Sequence, residues 1–253
     1  MCRMIAKISV EPTGIIDEML KCPYSLKYLS EHGRQPSDPE NRGSHHDGCG
    51  MAFSKNGNLE IHKRSKENAW DESYQQIART ASSNIFIAHN RLASKGLEMT
   101  ENGAHPFSID AGGKTFALCH NGGVRTYMEE AKAKHTSDSL IFLQRLIDLS
   151  GKNDADSIFH RLQVIANETE YTSLCSYLIT DNELFVWRVY SKQHPEKIEG
   201  YEKYYTLYMS MRDNAAVFSS EPLDDSPWMI LENNSFMLLQ ISGTGISLDY
   251  RRL

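Results

Sequence analysis

The spacing of apolar and polar positions predicts a chain built mainly from strands. Apolar residues alternate with polar ones over residues 4–10, and this period of two is typical of a strand with one face in a core. Asn56-Gly57 and Gly112-Gly113 each join two predicted strands, because both dipeptides favour tight hairpin turns. Short apolar runs bounded by turn residues predict the other strands at 51–54, 59–63, 84–88, 105–110, 114–119, 176–180, 184–190, 204–211 and 215–220, and a hairpin over 236–250.

Apolar residues spaced three and four apart predict helices between groups of strands. The pattern occurs at 15–20, at 25–31 before Gly33, at 69–81, at 137–149 before Gly151, and at 154–167. Strands followed by a helical pair and then by more strands are typical of an α+β fold in which sheets and helices form layers. Since no internal repeat or linker interrupts this pattern, we expect a single domain over residues 1–253.

The amino-acid composition excludes several classes of protein. With 27 basic and 33 acidic residues the net charge is −6, so a nucleic-acid or anionic-membrane partner is not expected. No apolar run approaches the roughly 18 residues of a transmembrane helix, and the N-terminus does not have the pattern of a signal peptide. The five cysteines are odd in number and scattered, which argues against disulfide bonds and a structural zinc site. We expect a cytoplasmic protein.

The strongest candidate for chemistry is Cys2. The initiator Met1 is normally removed before a small residue such as cysteine, which would leave a thiol and a free α-amine on one residue. Their ordinary pKa values, about 8.5 and about 7.7–8.0, are close to neutrality. The thiolate is the nucleophile, and the amine can take up its proton without a histidine. The alternative is an inert packing cysteine, which is the commoner use of this residue.

Three further positions have both a functional and a structural interpretation. Arg91 follows a predicted strand and can hold a carboxylate through two parallel hydrogen bonds, or form a surface ion pair. Asn121 and Gly122 can supply the two neutral donors of an oxyanion hole, or form an ordinary turn. Asp138 begins a predicted helix, where it can cap the helix or bind an ammonium group.

A long polar loop over residues 34–50 is the remaining candidate. Loops of this length inside a domain are often functional, and its glycines would suit a lid. Its end carries His45, His46, Asp47 and Cys49, which leaves a metal-dependent hydrolase as an alternative. Their spacing is too tight for a standard zinc site, so we expect no metal.

Several short motifs, in one order, resemble class II glutamine amidotransferases, a family of N-terminal-nucleophile (Ntn) hydrolases. They span nearly the whole chain: Met1-Cys2-Arg3, Asp47-Gly48-Cys49-Gly50, Ala88-His89-Asn90-Arg91-Leu92-Ala93-Ser94, His105-Pro106-Phe107, His120-Asn121-Gly122-Gly123, Ser137-Asp138-Ser139, and Ser220-Glu221-Pro222-Leu223 with Trp228. The resemblance implies a four-layer α/β/β/α sandwich with two antiparallel sheets.

The resemblance also implies a role for each candidate residue. Cys2 would attack the γ-amide of glutamine to form a γ-glutamyl thioester, releasing ammonia and then, by hydrolysis, glutamate. Asn121 and Gly122 would stabilise the oxyanion. Arg91 and Asp138 would bind the α-carboxylate and α-ammonium groups of the substrate. Ser94, where threonine is common, would keep a hydroxyl at the substrate site. No cofactor is expected.

The resemblance leaves the substrate and the partner open. Many members carry a synthase domain that consumes the ammonia, whereas this sequence is similar to stand-alone members. It is therefore expected to pass ammonia to a separate synthase subunit, or to cleave a γ-glutamyl bond in another small molecule. A catalytically silent scaffold of the same fold is a further alternative, which the presence of Cys2, Arg91, Asn121 and Asp138 argues against.

Overall fold

The computed structural model of the chain describes residues 2–35, 41–93, 99–191, 201–212 and 214–253. Two positions used above, Met1 and Ser94, lie outside these ranges, as does part of the 34–50 loop. Among the described residues, no helix is long and apolar enough to cross a membrane.

Fifteen strands form the body of the described structure, and every strand pair is antiparallel. Seven strands form one sheet in the order β13-β11-β12-β1-β6-β4-β5, six form a second in the order β15-β14-β10-β9-β8-β7, and β2 pairs with β3 alone. The strands are β1 (Arg3–Gly14), β2 (Gly33–Arg34), β3 (Arg42–Gly43), β4 (Cys49–Lys55), β5 (Asn58–Arg64), β6 (Ser82–Asn90), β7 (Phe107–Ala111), β8 (Lys114–Asn121), β9 (Cys175–Ile179), β10 (Glu183–Arg188), β11 (Tyr208–Arg212), β12 (Ala215–Ser219), β13 (Met229–Ile230), β14 (Ser235–Ser242) and β15 (Gly245–Arg252).

The helices of the described structure are few and short. Single helical turns occur at Asp17–Lys21 (π), Glu101–Gly103 (3₁₀) and Arg125–Tyr127 (3₁₀). The α-helices are α1 (Leu26–His32), α2 (Glu72–Thr80), α3 (Met128–Ala133), α4 (Asp138–Leu146), α5 (Ala155–Glu168) and α6 (Tyr201–Tyr204).

Most predicted elements are present, and the differences at helix ends have local causes. The predicted helix 69–81 begins only at Glu72, because Trp70 has φ +62° and the Asp71 carboxylate accepts the Tyr74 N–H at 2.7 Å as the N-cap. The predicted helix 137–149 already ends at Leu146. Asp148 beyond it accepts backbone N–H groups of Ser150 and Gly151 in a turn.

Two predictions were wrong over part of their length. Residues 15–20 do not form an α-helix; only the π turn at Asp17–Lys21 is present, and it stops at Cys22, which is extended ahead of Pro23. Residues 204–207 precede β11 instead of starting it. Their apolar side chains resemble a strand in sequence because Tyr204 and Tyr205 are fully buried between the two sheets.

The buried side chains form three groups that stack the elements in four layers. One group lies between the two large sheets and includes Met4, Ala6 and Ile8 from alternate positions of β1. A second lies between the six-stranded sheet and helices α4 and α5. A third lies between the outer face of the seven-stranded sheet and helices α1 and α2. The predicted α/β/β/α sandwich with two antiparallel sheets is confirmed.

Candidate active site

Cys2 lies directly before β1, which is the central strand of the seven-stranded sheet. Neighbouring strand β6 pairs with it in a register that sets Arg3 opposite Asn90 and Met4 opposite His89. Continued by one residue, this register places Cys2 opposite Arg91. Both side chains are largely buried, with 6% of Cys2 and 5% of Arg91 exposed. The pairing of β1 with β6 therefore brings the two predicted site residues together at one end of the strand pair.

Asn121 belongs to the six-stranded sheet and contacts the backbone of Cys2. It is the last residue of β8 and is fully buried. The Cys2 backbone N–H donates to its Oδ1 at 2.9 Å. The side-chain Nδ2 has no hydrogen-bond partner among the described residues. Buried amide N–H groups are rarely left unpaired, so this donor is the feature of the site that is best suited to bind a ligand oxygen.

Gly122 is required by the close approach of two chain segments. A Cβ at this position would lie 1.9 Å from the Ser173 carbonyl oxygen and 2.8 Å from His120 Nε2. No side chain fits at the first of these distances, since the obstacle is backbone. The next residue, Gly123, donates its N–H to Thr172 Oγ1 at 2.9 Å. The turn that follows Asn121 is thus fixed against the segment at 172–173.

Asp138 fixes the end of the same turn through a hydrogen bond from the Val124 N–H. It is the first residue of α4, whose N-cap is Ser137. Its Oδ2 accepts the Val124 N–H at 2.7 Å, and its Oδ1 accepts the Ser137 hydroxyl at 3.2 Å. The carboxylate is 6% exposed. Because a carboxylate has about four lone-pair positions, these two bonds leave capacity for a substrate ammonium group.

The Asp47-Gly48 segment positions Arg91. The Arg91 N–H donates to the Gly48 carbonyl at 2.8 Å, and the Asp47 N–H donates to the Arg91 carbonyl at 2.9 Å. The Asp47 carboxylate accepts the Ala93 N–H at 2.9 Å. Gly48 itself has φ +130°, a conformation that favours glycine. These hydrogen bonds therefore fix the chain after β6 against this part of the loop.

Charges of opposite sign surround the Arg91 guanidinium. Burial lowers the pKa of Arg91, and negative charges on Cys2, Asp47 and Asp138 oppose that effect. Arg91 and Asp138 thus lie close to Cys2 in the folded chain. The structure gathers Cys2, Asn121, Gly122, Arg91 and Asp138 where the ends of β1, β6 and β8 meet. The chemical role of each residue stays a prediction.

The residues of the metal hypothesis have separate partners. His45 Nδ1 contacts the Gly43 carbonyl at 3.1 Å, and His46 Nε2 contacts Ser30 Oγ at 3.0 Å. Cys49 is buried, which raises the pKa of its thiol to about 12. Within the ranges that the structure describes, no group of three or more His, Cys, Asp or Glu side chains is placed to hold a metal ion.

His89 is a site residue that the sequence interpretation missed. Its Nε2 lies 3.2 Å from the His120 carbonyl oxygen, so Nε2 carries a proton and donates it. Its buried Nδ1 has no nitrogen or oxygen partner in the described part of the chain. The signal was available in the sequence, because His89 and Arg91 are two residues apart at the end of one strand and so share a face.

His89 lowers the pKa of the Cys2 thiol. Burial raises the pKa of the Cys2 thiol. Electrostatic interaction with His89 and with the N-terminus, together with hydrogen bonds from His89 and the Leu92 backbone, outweighs this effect, and the pKa of the thiol falls to about 6. Burial instead raises the pKa of the other four thiols. The pKa rises to about 11 for Cys22 and to about 12 for Cys49, and burial also raises it for Cys119 and Cys175. At pH 7, Cys2 is therefore the cysteine whose thiol is mostly ionised.

We expect alkylation by iodoacetamide at pH 7 to be selective for Cys2. Its rate should reach half of its plateau near pH 6, because the reactive thiolate forms as the pH rises through the pKa. His89→Gln keeps a donor toward the His120 carbonyl but removes the imidazole whose interactions lower the pKa of Cys2, so the half-maximal rate should move to higher pH. The rate profile is measured by peptide mass spectrometry. An unchanged midpoint in H89Q would show that His89 does not set the acidity of the thiol.

A second feature that the sequence interpretation missed anchors Arg3, the residue after Cys2. The fully buried Arg3 forms an ion pair with Glu221 at 3.1 Å and lies over the Tyr204 ring, 4.3 Å from its centroid. The hydroxyl of Ser220 accepts the Met4 N–H at 3.0 Å. The Ser220-Glu221 motif, which had no assigned role in the sequence, therefore holds the start of β1.

Comparisons with known proteins agree with this architecture. The family model for class-II glutamine amidotransferases matches residues 28–192, a range that contains Arg91, Asn121, Gly122 and Asp138 but not Cys2. No curated protein sequence matches the chain.

Solved structures that resemble the chain share its fold at low sequence identity. The glutamine phosphoribosylpyrophosphate amidotransferase from B. subtilis, complexed with ADP and GMP, is 16% identical with a TM-score of 0.66, over 99% of this chain and 49% of the other. A structure described as the allosteric regulatory enzyme of purine biosynthesis is 17% identical with a TM-score of 0.65, at the same coverages. A class-II domain protein from Silicibacter pomeroyi is 15% identical with a TM-score of 0.62, over 100% of this chain and 99% of the other.

These comparisons differ in what they cover. The chain spans 49% of the length of the first two structures, and identities of 15–17% show the fold alone. The family model, by contrast, matches well over half of the 253 residues and does so in sequence. The chain therefore belongs to the class II glutamine amidotransferases.

Proposed function

We propose that the chain hydrolyses the γ-amide of glutamine, with Cys2 as the nucleophile. The observation that carries this proposal is the contact between Cys2 N and Asn121 Oδ1 at 2.9 Å, which leaves the buried Nδ2 of Asn121 unpaired among the described residues. It joins residues 119 positions apart in sequence. The same nitrogen of Cys2 becomes the α-amine once Met1 is removed.

In the first half of the reaction, the Cys2 thiolate attacks the γ-carbonyl carbon of glutamine. The carbonyl oxygen gains a negative charge, and Asn121 Nδ2 and the Gly122 N–H are assigned to stabilise it. The C–N bond then breaks, and the α-ammonium group of Cys2 gives its proton to the leaving nitrogen. Ammonia leaves, and a γ-glutamyl thioester remains on Cys2.

In the second half, the neutral α-amine takes a proton from water, and the hydroxide attacks the thioester carbonyl. The C–S bond breaks, glutamate leaves and the thiolate is restored. Asn121 Oδ1, which accepts the Cys2 N–H at 2.9 Å, is assigned to orient the amine in both steps. Two residues are assigned to the rest of the substrate: Arg91 to the α-carboxylate and Asp138 to the α-ammonium group. The buried location of both supports these assignments, since charged hydrogen bonds are stronger away from water.

The proposal is tested by intact mass before and after exposure to 6-diazo-5-oxo-norleucine, an electrophile shaped like glutamine. We expect protein that lacks Met1 to gain one adduct, which maps to Cys2 in the digested protein. Competition by free glutamine should slow the adduct, since both occupy the Arg91 and Asp138 contacts. Iodoacetamide serves as the control, because it reacts with the thiolate without those contacts.

Two results would count against glutamine as the substrate. If processed protein reacts with iodoacetamide at Cys2 but takes no adduct from the glutamine mimic, the nucleophile is present and the pocket fits another γ-glutamyl compound. If neither reagent modifies processed protein at Cys2, the proposed nucleophile is wrong.

A further inference from the structure

Strand β15 (Gly245–Arg252) is an open edge of the six-stranded sheet. It pairs with β14 on one side, and no other strand in the described part of the chain pairs with it. An unpaired edge presents N–H and C=O groups to which a strand of another chain can bond. Proteins usually block such an edge by making it short or by placing charges on it.

The other edge strands are blocked in these ways, whereas β15 is blocked only near its end. In the ranges that the structure describes, β13 has two residues and β7 has five. β5 has seven residues, but it carries the charged side chains of Glu60, Lys63 and Arg64. β15 has eight residues, and its first four carry no charge. It is therefore the edge best suited to pair with another chain.

The backbone groups that point out from this edge belong to alternate residues. The Leu253 N–H donates to the Asn234 carbonyl at 2.9 Å and so continues the register of β15 with β14. In an antiparallel pair, the backbone groups of every second residue point to the same side. The odd-numbered residues of β15 therefore bond to β14. The N–H and C=O groups of Ile246, Leu248 and Tyr250 point away from the sheet.

The same three residues place their apolar side chains on one face of the sheet. Their partners on β14 pack in or against the core between the two large sheets; these partners are Ile241, Leu239 and Met237. Cross-strand partners share a face. Leu248 is nevertheless 49% exposed and Tyr250 is 48% exposed. The row of apolar side chains thus continues that core to the edge of the sheet, where solvent reaches it.

We propose that β15 is the contact surface for a second copy of this chain. The two β15 strands pair antiparallel about a two-fold axis, with Leu248 opposite Leu248 and Ile246 opposite Tyr250. In this register the outward N–H and C=O groups of all three residues are paired, and the apolar row runs on into the second copy. The two six-stranded sheets become one continuous sheet. The inference does not depend on the reaction proposed for Cys2.

The charges on β15 are compatible with this register. Asp249 lies opposite Ser247, and Arg251 lies opposite Gly245, so no like charges face each other. Arg251 is already paired within its own chain, with Asp249 at 2.6 Å and with Asp156 at 2.7 Å. The contact therefore brings no unpaired charge of these residues against another charge of the same sign.

The neighbouring registers are less favourable. Moving the centre of the pairing to Asp249 sets this carboxylate opposite its own copy, and like charges in that position are destabilising. Moving the centre to Ser247 sets Tyr250 opposite Thr244, which lies in the turn between β14 and β15. Self-pairing centred on Leu248 avoids both problems.

The test is sedimentation velocity of the whole protein over a range of concentrations. We expect a dimer that dissociates on dilution. Leu248→Lys sets two ammonium groups opposite each other at the centre of the contact, so the dissociation constant should rise by at least about tenfold. The matched control is Leu149→Lys, because Leu149 is 68% exposed and lies beyond the end of α4. It should leave the dissociation constant unchanged.

Thermal unfolding of both variants shows whether each keeps its fold. A wild type that stays monomeric at every concentration would overturn the proposal. Equal dissociation constants for L248K and L149K would overturn it as well, since the contact would then lie elsewhere.

The register is tested by oxidative cross-linking of single-cysteine replacements on β15. Opposed residues in a hydrogen-bonded pair have Cα atoms about 5.5 Å apart, a distance that a disulfide bond spans. Leu248→Cys should therefore cross-link to its own copy, as shown by peptide mass spectrometry, whereas Tyr250→Cys should not. A cross-link in Y250C without one in L248C would overturn the pairing centred on Leu248.

Discussion

Replacing Cys2 by alanine is expected to abolish glutamine hydrolysis, with a fall in kcat/KM of at least about 10³-fold. The thiolate is the atom that forms the covalent bond in the proposed reaction, and no neighbouring group can substitute for it. His89 and the α-amine are bases, and neither is placed to form the thioester. The measurement is glutamate release from glutamine by purified protein whose N-terminus has been checked by mass.

The matched control for this variant is Cys22→Ala. Cys22 is partly exposed, the pKa of its thiol is raised to about 11 by burial and nearby carboxylates, and it lies outside the group of site residues. It should keep wild-type activity. Thermal unfolding of all three proteins shows whether the fold is retained. An active C2A variant would exclude Cys2 as the nucleophile and with it the proposed mechanism.

Replacing Asn121 by alanine should lower kcat by about 10²–10³-fold, the usual cost of losing one oxyanion-hole donor. In the structure Nδ2 is a buried donor with no partner in the described residues, so the transition-state oxygen is the group assigned to it. Iodoacetamide should still alkylate Cys2 in this variant, because that reaction forms no oxyanion. The two rates, hydrolysis and alkylation, therefore separate stabilisation of the oxyanion from reactivity of the thiol.

Asn84→Ala provides the comparison for Asn121. The Asn84 amide on β6 also donates hydrogen bonds, to the carbonyls of Ser9 at 3.1 Å and Val10 at 2.7 Å, but at the opposite end of β6. Its loss should lower the unfolding temperature without a comparable loss of kcat. If N121A and N84A lose activity to the same small extent, the oxyanion assignment of Asn121 does not hold.

Strand positions followed from the sequence because burial in this fold repeats with the period of a strand. Met4, Ala6 and Ile8 face one core and Ile5 faces another, which is the alternation seen in the sequence. The hairpin turn at Asn56-Gly57 was also predicted from the sequence. Both residues have positive φ, at 54° and 76°, which is the conformation that this dipeptide favours. Tyr204 and Tyr205 misled the interpretation because an apolar segment that fills a gap between sheets looks like a strand.

The residues of the candidate site were predicted from the order of short motifs along the chain more than from the hydrophobic pattern. Cys2, Arg91, Asn121 and Asp138 were identified as single residues, and their proximity depends on the pairing of β1 with β6 and on the contact from Cys2 to β8. The partnership of Arg3 with Glu221 joins residues 218 positions apart, and no local signal indicates it. His89 was missed because a histidine inside a strand usually has a packing role.

The position of β1 has a consequence for how the protein matures. Its neighbours are β6 and β12, and the Met4 N–H reaches a hydroxyl 216 residues further along the chain. During synthesis the first strand is therefore made long before its second neighbour, and contacts of such separation form slowly. Cys2 is 6% exposed once the sheet is complete. We expect the aminopeptidase that removes Met1 to act on the nascent chain. Processing would then precede folding, and Cys2 would already carry its free α-amine when the sheet forms around it.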